Sequence, residues 1–120
     1  MKIFIEYDPP NWNDYINLER TNKFKANNLK QYEKHVIRYC VDKQEKYNGK
    51  YPVEIIIRKH FKDRRQDLDN TRIKGLIDGL VTHGIIKNDN LTCIQRLVFE
   101  PVFDKKIGIE IEIRELGNEK

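Results

Sequence analysis

"VEIIIRKHFKDRRQDLDNTRIKGLIDGLVTHG", Val53 to Gly84, changes its period halfway. Val53 to Phe61 is β-branched and apolar, the composition of a well-buried strand. From Ile73 the apolar residues Leu76, Ile77, Leu80 and Val81 follow at i+3, i+4, i+7 and i+8, one continuous helical face that Gly84 ends. Between strand and helix stand Asp67 and Asp69, behind a basic run. On a helix, residues two apart point to nearly opposite sides, whereas on an extended segment they share a face. Because the helical face begins at Ile73, Asp67 to Asn70 is read as the extended or turning approach to it, with both carboxylates converging. Asp69 or Asn70 can also cap the helix, and a solvated capping turn is the plain alternative.

Two carboxylates a few ångströms apart repel unless a cation sits between them. Magnesium takes oxygen ligands in a tight octahedron and uses a few carboxylates plus water and substrate phosphate. Asp89, past the helix in "HGIIKNDNL", is the candidate third carboxylate. A helix of about 14 residues would hold it some 20 Å from Asp67. It joins the pair only if the chain doubles back after Gly84 or a second subunit supplies it.

Working outward, Ile3, Ile5 and Tyr7 alternate with Lys2, Phe4 and Glu6, an opening strand stopped by Pro9-Pro10. Asn11 to Lys25 is polar and reads as a loop. A helix is expected from about Asn28 to Tyr47, capped by Asn27 or Asn28 and stopped by Asn48-Gly49. Thr92 to Phe103 reads as a strand, with a bulge or edge near Pro101, and Ile107, Ile109, Ile111 and Ile113 alternate strictly with Gly108, Glu110, Glu112 and Arg114. The order β-α-β-α-β-β predicts an α+β fold, a mixed sheet of about four strands packed with two main helices.

The 120 residues form one expected domain, residues 1–120. Net charge is +4 and charged residues make up 35%, a mild bias that suits a polyanion. The cations cluster: Arg58, Lys59, Lys62, Arg64, Arg65, Arg72 and Lys74 crowd around the aspartates and are candidate phosphate contacts. Cys40 and Cys93 lack the close pairing of a zinc or redox motif and read as reduced, buried residues. Neither a signal peptide nor an apolar run of membrane-spanning length is present, so no membrane partner and a cytoplasmic location are expected. Trp12 and Tyr15 have two open readings, a base-stacking surface or an aromatic plug over the core. His35 and His60 read as solvated, and His83 as complementing a helix dipole.

The stretch "RRQDLDNTRIKGLIDGLVTHGIIKND", Arg64 to Asp89, resembles the core of RusA-type Holliday junction resolvases. The likeness rests on an R-D-L-D-N-type signature, a lysine early in the helix and an acidic pair after a glycine. "PPNWNDY" and "GIEIEIRELGNEK" resemble that family's ends. The resemblance implies a magnesium-dependent endonuclease acting as a homodimer, making paired nicks in four-way junction DNA. It carries the catalytic and metal-binding carboxylates to Asp67, Asp69 and Asp89, and the essential lysine to Lys74. Asn88 replaces the first acid of the pair, and one extra residue between Asn70 and Ile73 must be absorbed by the turn. A restriction-like nuclease, which needs a carboxylate and a lysine two apart on a strand, is disfavoured because "EIEIR" has no such lysine. The remaining rival is a catalytically silent DNA-binding accessory protein of recombination or replication.

Overall fold

A computed structural model describes the chain except residues 43, 44, 63 and 117–120. Four strands, β1 (Lys2–Ile5), β2 (Val53–Phe61), β3 (Ile94–Phe103) and β4 (Ile109–Glu115), form one sheet in the order β1-β4-β2-β3. β2 and β3 run parallel, while β4 pairs antiparallel with both β1 and β2, so the sheet is mixed as expected. Three helices accompany it: α1 (Trp12–Thr21), α2 (Lys23–Val36) and α3 (Lys74–Thr82). Ile109, Ile111 and Ile113 stand in register with Ile3, Ile5, Ile55 and Ile57, all nearly inaccessible. With Val36, Leu76 and Leu80 they make the core. Ile107 precedes β4 and is about half exposed, so the buried alternation begins two residues later than its sequence pattern, at Ile109.

The segment Asn11–Lys25, expected as a loop, instead supplies α1 and the start of α2. Each helix has an asparagine cap: the Asn11 side chain accepts from the Asp14 N–H at 2.8 Å, and Asn22 from the Lys25 N–H at 3.1 Å. α1 buries only Tyr15, so it carries no apolar stripe for periodicity to detect. α2 correspondingly starts before Asn27 and Asn28. It ends at Val36, followed by a 3-10 turn, Ile37–Tyr39, rather than at Asn48-Gly49. The part of that expected helix at Lys43 and Gln44 lies outside the described residues.

α2 and α3 pack closely because Gly75 and Gly79 present no side chain at their contact. A Cβ at Gly79 would lie 2.6 Å from the Lys34 carbonyl oxygen, and one at Gly75 would lie 2.6 Å from Glu33 Oε1. α3 ends as its sequence predicts: Gly84 takes φ of 71°, and the Ile85 N–H returns to the Leu80 carbonyl at 2.8 Å. Ile85 and Ile86 then bury themselves in the core, reversing the chain along the helix.

Candidate active site and nucleic-acid interface

That reversal decides where Asp89 lies. α3 has nine residues, so its ends stand only about 14 Å apart. Asp89 returns to the N-terminal end, with its Oδ2 4.0 Å from Lys74 Nζ. One protomer therefore brings these two groups together without help from a second. Lys74 also bonds Asp78 at 2.7 Å and remains largely exposed.

The aspartate pair departs from expectation. Asp67 is extended, but Leu68–Asn70 forms a single 3-10 turn that contains Asp69. The turn breaks the period-2 geometry that would have put both carboxylates on one face. Asp69 lines a cavity of about 410 Å³ with Lys74, Asp89, Trp12 and the β3 side chains Leu97 and Phe99. Asp67 lines a neighbouring cavity of about 550 Å³, and Thr71 borders both. Among the described residues no group of three or more His, Cys, Asp or Glu side chains is drawn tightly enough to hold a metal ion. The Asp69–Asp89 pair nevertheless suits magnesium, which commonly takes one or two carboxylates and fills its octahedron with water and phosphate oxygens.

The basic cluster divides. Lys62, Arg64 and Arg65 are exposed, Arg64 lying over the Phe103 ring at 4.1 Å. Arg58 does not join them. Adjacent strand residues face opposite sides, and Ile57 and Lys59 point toward the helices, so Arg58 lies on the other face of the sheet. There it bonds Glu112 at 2.8 Å, Glu110 at 3.0 Å and Glu100 at 3.1 Å. These carboxylates hold its guanidinium pKa above the ordinary arginine range. His60, on that same face, bonds Asp104 at 2.8 Å rather than facing water alone. Lys59 is buried, its ammonium 2.8 Å from Asp8 and 4.1 Å from the Phe61 ring centre.

Arg72 departs furthest from its expected role as a phosphate contact. It precedes α3 rather than lying on it, and only 2% of its surface is accessible. Its Nη1 bonds Glu33 Oε1 at 2.6 Å, Glu33 being 1% accessible, while the guanidinium stacks 3.8 Å from the Tyr15 ring centre. The Tyr7 hydroxyl donates to the other Glu33 oxygen at 2.6 Å. Burial, then that hydrogen bond, pushes the Tyr7 pKa well above its usual range and keeps it a donor. Glu33 was legible in principle: with Ala26, Leu29 and Val36 it falls on one helical stripe, a carboxylate on an apolar face. Tyr15 is thus a plug, whereas Trp12, about a third exposed, opens onto the cavity of Asp69 and Asp89.

Residues 6–114 match the family model of endodeoxyribonuclease RusA. The chain belongs to the RusA family of Holliday junction resolvases. No curated protein matches it significantly. The four-stranded mixed sheet with three helices is consistent with a RusA fold. Thr71, Arg72 and Ile73 form a non-helical bridge between the 3-10 turn and α3. No helix of the described chain is long and apolar enough to cross a membrane.

Away from this site, His35 and His83 join α2 to α3 through ring nitrogens 3.1 Å apart. Burial first, then His35 and Arg38, lowers the His83 pKa, with Lys34 adding charge and its carbonyl partly opposing the shift. A lowered folded-state pKa means that the unfolded chain binds the proton more readily. The His83 contribution is complete above its unfolded value near 6.5 and is lost as pH falls from there through the folded value. Urea midpoints should therefore drop between pH 7.5 and 5.5, and His83→Gln should reduce that drop. An equal drop in the variant would remove His83 as its source.

Proposed function

We propose that the protein is a magnesium-dependent DNA endonuclease that resolves four-way junctions by paired nicks, working as a homodimer. The observation that carries this is the return of Asp89 to the N-terminal end of α3, into one cavity with Asp69 and Lys74. Asp69 and Asp89 would hold the metal, and Asp67, round the turn, completes the proposed carboxylate set. Magnesium bound there supplies a polarised phosphate and a water of lowered pKa. Lys74, exposed at the head of α3, neutralises charge developing on the phosphate or leaving oxygen. Trp12 offers an unpaired base a stacking plane. Lys62, Arg64 and Arg65 meet neighbouring phosphates. β3 is an outer strand of the sheet, an edge at which a second copy can dock, and a twofold pair supplies the two sites that symmetric nicks need.

The test is cleavage of a synthetic four-way junction. Two symmetric nicks in magnesium and none in chelator are expected. Lys74→Ala should slow cleavage at least tenfold, about 1.4 kcal/mol, with junction affinity little changed. Tight junction binding with no cleavage in magnesium would instead establish the silent accessory protein.

A further inference from the structure

The positive charge of the chain is concentrated on α2, away from the site described above. Between Asn22 and Val41 five lysines and arginines stand against one carboxylate, Glu33, a net of +4 that equals the net charge of the whole chain. Glu33 is buried against Arg72, so it does not offset the cations at the surface. Around the aspartates, by contrast, Arg58, Lys59, Arg72 and Lys74 are each paired with carboxylates. Among the described residues, Lys23, Lys30 and Lys34 form no ion pair, and Glu19 of α1 attracts Lys30 without pairing with it. These three lysines recur at i, i+7 and i+11, so they share one flank of α2 along about 16 Å of its axis. Arg38, in the 3-10 turn that follows, continues the charge. Burial first, then His35, Arg38 and Lys34, holds the His83 pKa down, so cations surround the end of α3 as well.

A row of ammonium groups selects for anionic oxygen, and its length selects for a polymer. One DNA strand carries a phosphate about every 3.4 Å of axis, so a row of this length lies beside roughly five of them. Lysine is a point charge without the planar fork of arginine, which suits backbone contact better than base reading. An anionic membrane fits less well, because the apolar residues Ala26, Val36 and Ile37 are turned into the core and cannot enter lipid. We infer that this flank of α2 is a second DNA-binding surface, which takes the phosphate backbone of a junction arm through Lys23, Lys30 and Lys34. The inference rests on the nuclease reading for the identity of its partner. It places that contact away from the cut, since His83, which Lys34 adjoins, closes the end of α3 about 14 Å from Lys74.

The test is junction binding in chelator, read as the log–log slope of affinity against salt. Lys23→Gln, Lys30→Gln and Lys34→Gln combined should flatten the slope by at least about 1.8, two phosphate contacts at about 0.9 each. A smaller change overturns the inference. Arginine at the same three positions should keep the wild-type slope, because phosphates answer to the charge. A control removes equal charge from exposed positions elsewhere, Lys2→Gln, Lys105→Gln and Lys106→Gln, and should change the slope by less than about 0.5. An equal loss in the control would reduce the effect to net charge and also overturn the surface. Thermal midpoints should stay within about 3 °C of wild type, as for other surface substitutions. Should the triple variant lose its fold, Lys23→Gln alone carries the test, with a change of about 0.9 expected and no change excluding the surface. Single-turnover cleavage at saturating protein should stay within twofold of wild type, because Lys74 and the aspartates are untouched. If no junction is cut in magnesium, the nuclease reading fails, and the slopes in chelator still decide the surface. Vesicles of anionic lipid that bind the wild type and not the triple variant, with equal junction slopes, would assign the flank to a membrane and overturn the inference.

Discussion

Asp69→Asn and Asp89→Asn should each lower single-turnover cleavage of a four-way junction at least a hundredfold, about 2.7 kcal/mol of transition-state stabilisation. Each removes an anionic oxygen from the one cavity that also holds Lys74. Affinity measured in chelator should stay level or rise, because each change deletes a negative charge beside a polyanion. That split separates a catalytic defect from a folding defect, which would lower both. Asp67→Asn belongs to the same proposed set, although its carboxylate lines the neighbouring cavity. A loss smaller than tenfold there, beside full losses in the other two, would reduce the metal-binding set to Asp69 and Asp89. If either of those two variants cuts within threefold of wild type, the site has been misplaced.

Periodicity reported what periodicity encodes. β2 spans the expected Val53–Phe61, and the face set by Ile73, Leu76, Ile77 and Leu80 is buried along α3. β4 alternates because one side of it packs and the other is wet. α1 was invisible because a helix held by a cap and one buried tyrosine leaves no repeating signal. The site was legible in its residue types and less so in its directions. A basic run shows where charge clusters along the chain, not which way each side chain turns. Strand parity could have separated Arg58 from Lys59, since neighbours on a strand cannot share a face. The sequence left Asp67 to Asn70 either extended or turning, and the 3-10 turn at Leu68–Asn70 takes the second course. The approach of Asp89 depended on Ile85 and Ile86 being core residues, a tertiary preference that a count of helix length omits.

Arg72 gives the second large effect, on stability rather than on binding. A buried charge left without its partner costs several kcal/mol, because the protein interior cannot replace the hydration it has lost. Glu33→Ala should destabilise the fold by about 3–5 kcal/mol, a drop in thermal midpoint on the order of 10–20 °C for a chain of this size. Arg72→Ala should do the same, so its loss of junction binding would follow the fraction unfolded. Replacing both partners by apolar residues, Glu33→Leu with Arg72→Met, should recover most of the loss, since no lone charge then remains buried. At temperatures where the double variant is fully folded, its salt slope for junction binding should equal that of the wild type, because Arg72 faces Glu33 and Tyr15 rather than solvent. A stable Arg72→Ala protein with a slope lowered by about 0.9 would return Arg72 to the phosphate-binding surface. The same pair ties the active-site bridge to α2: Glu33 sits on the helix that packs against Gly75 and Gly79, and Arg72 sits between Thr71 and the start of α3.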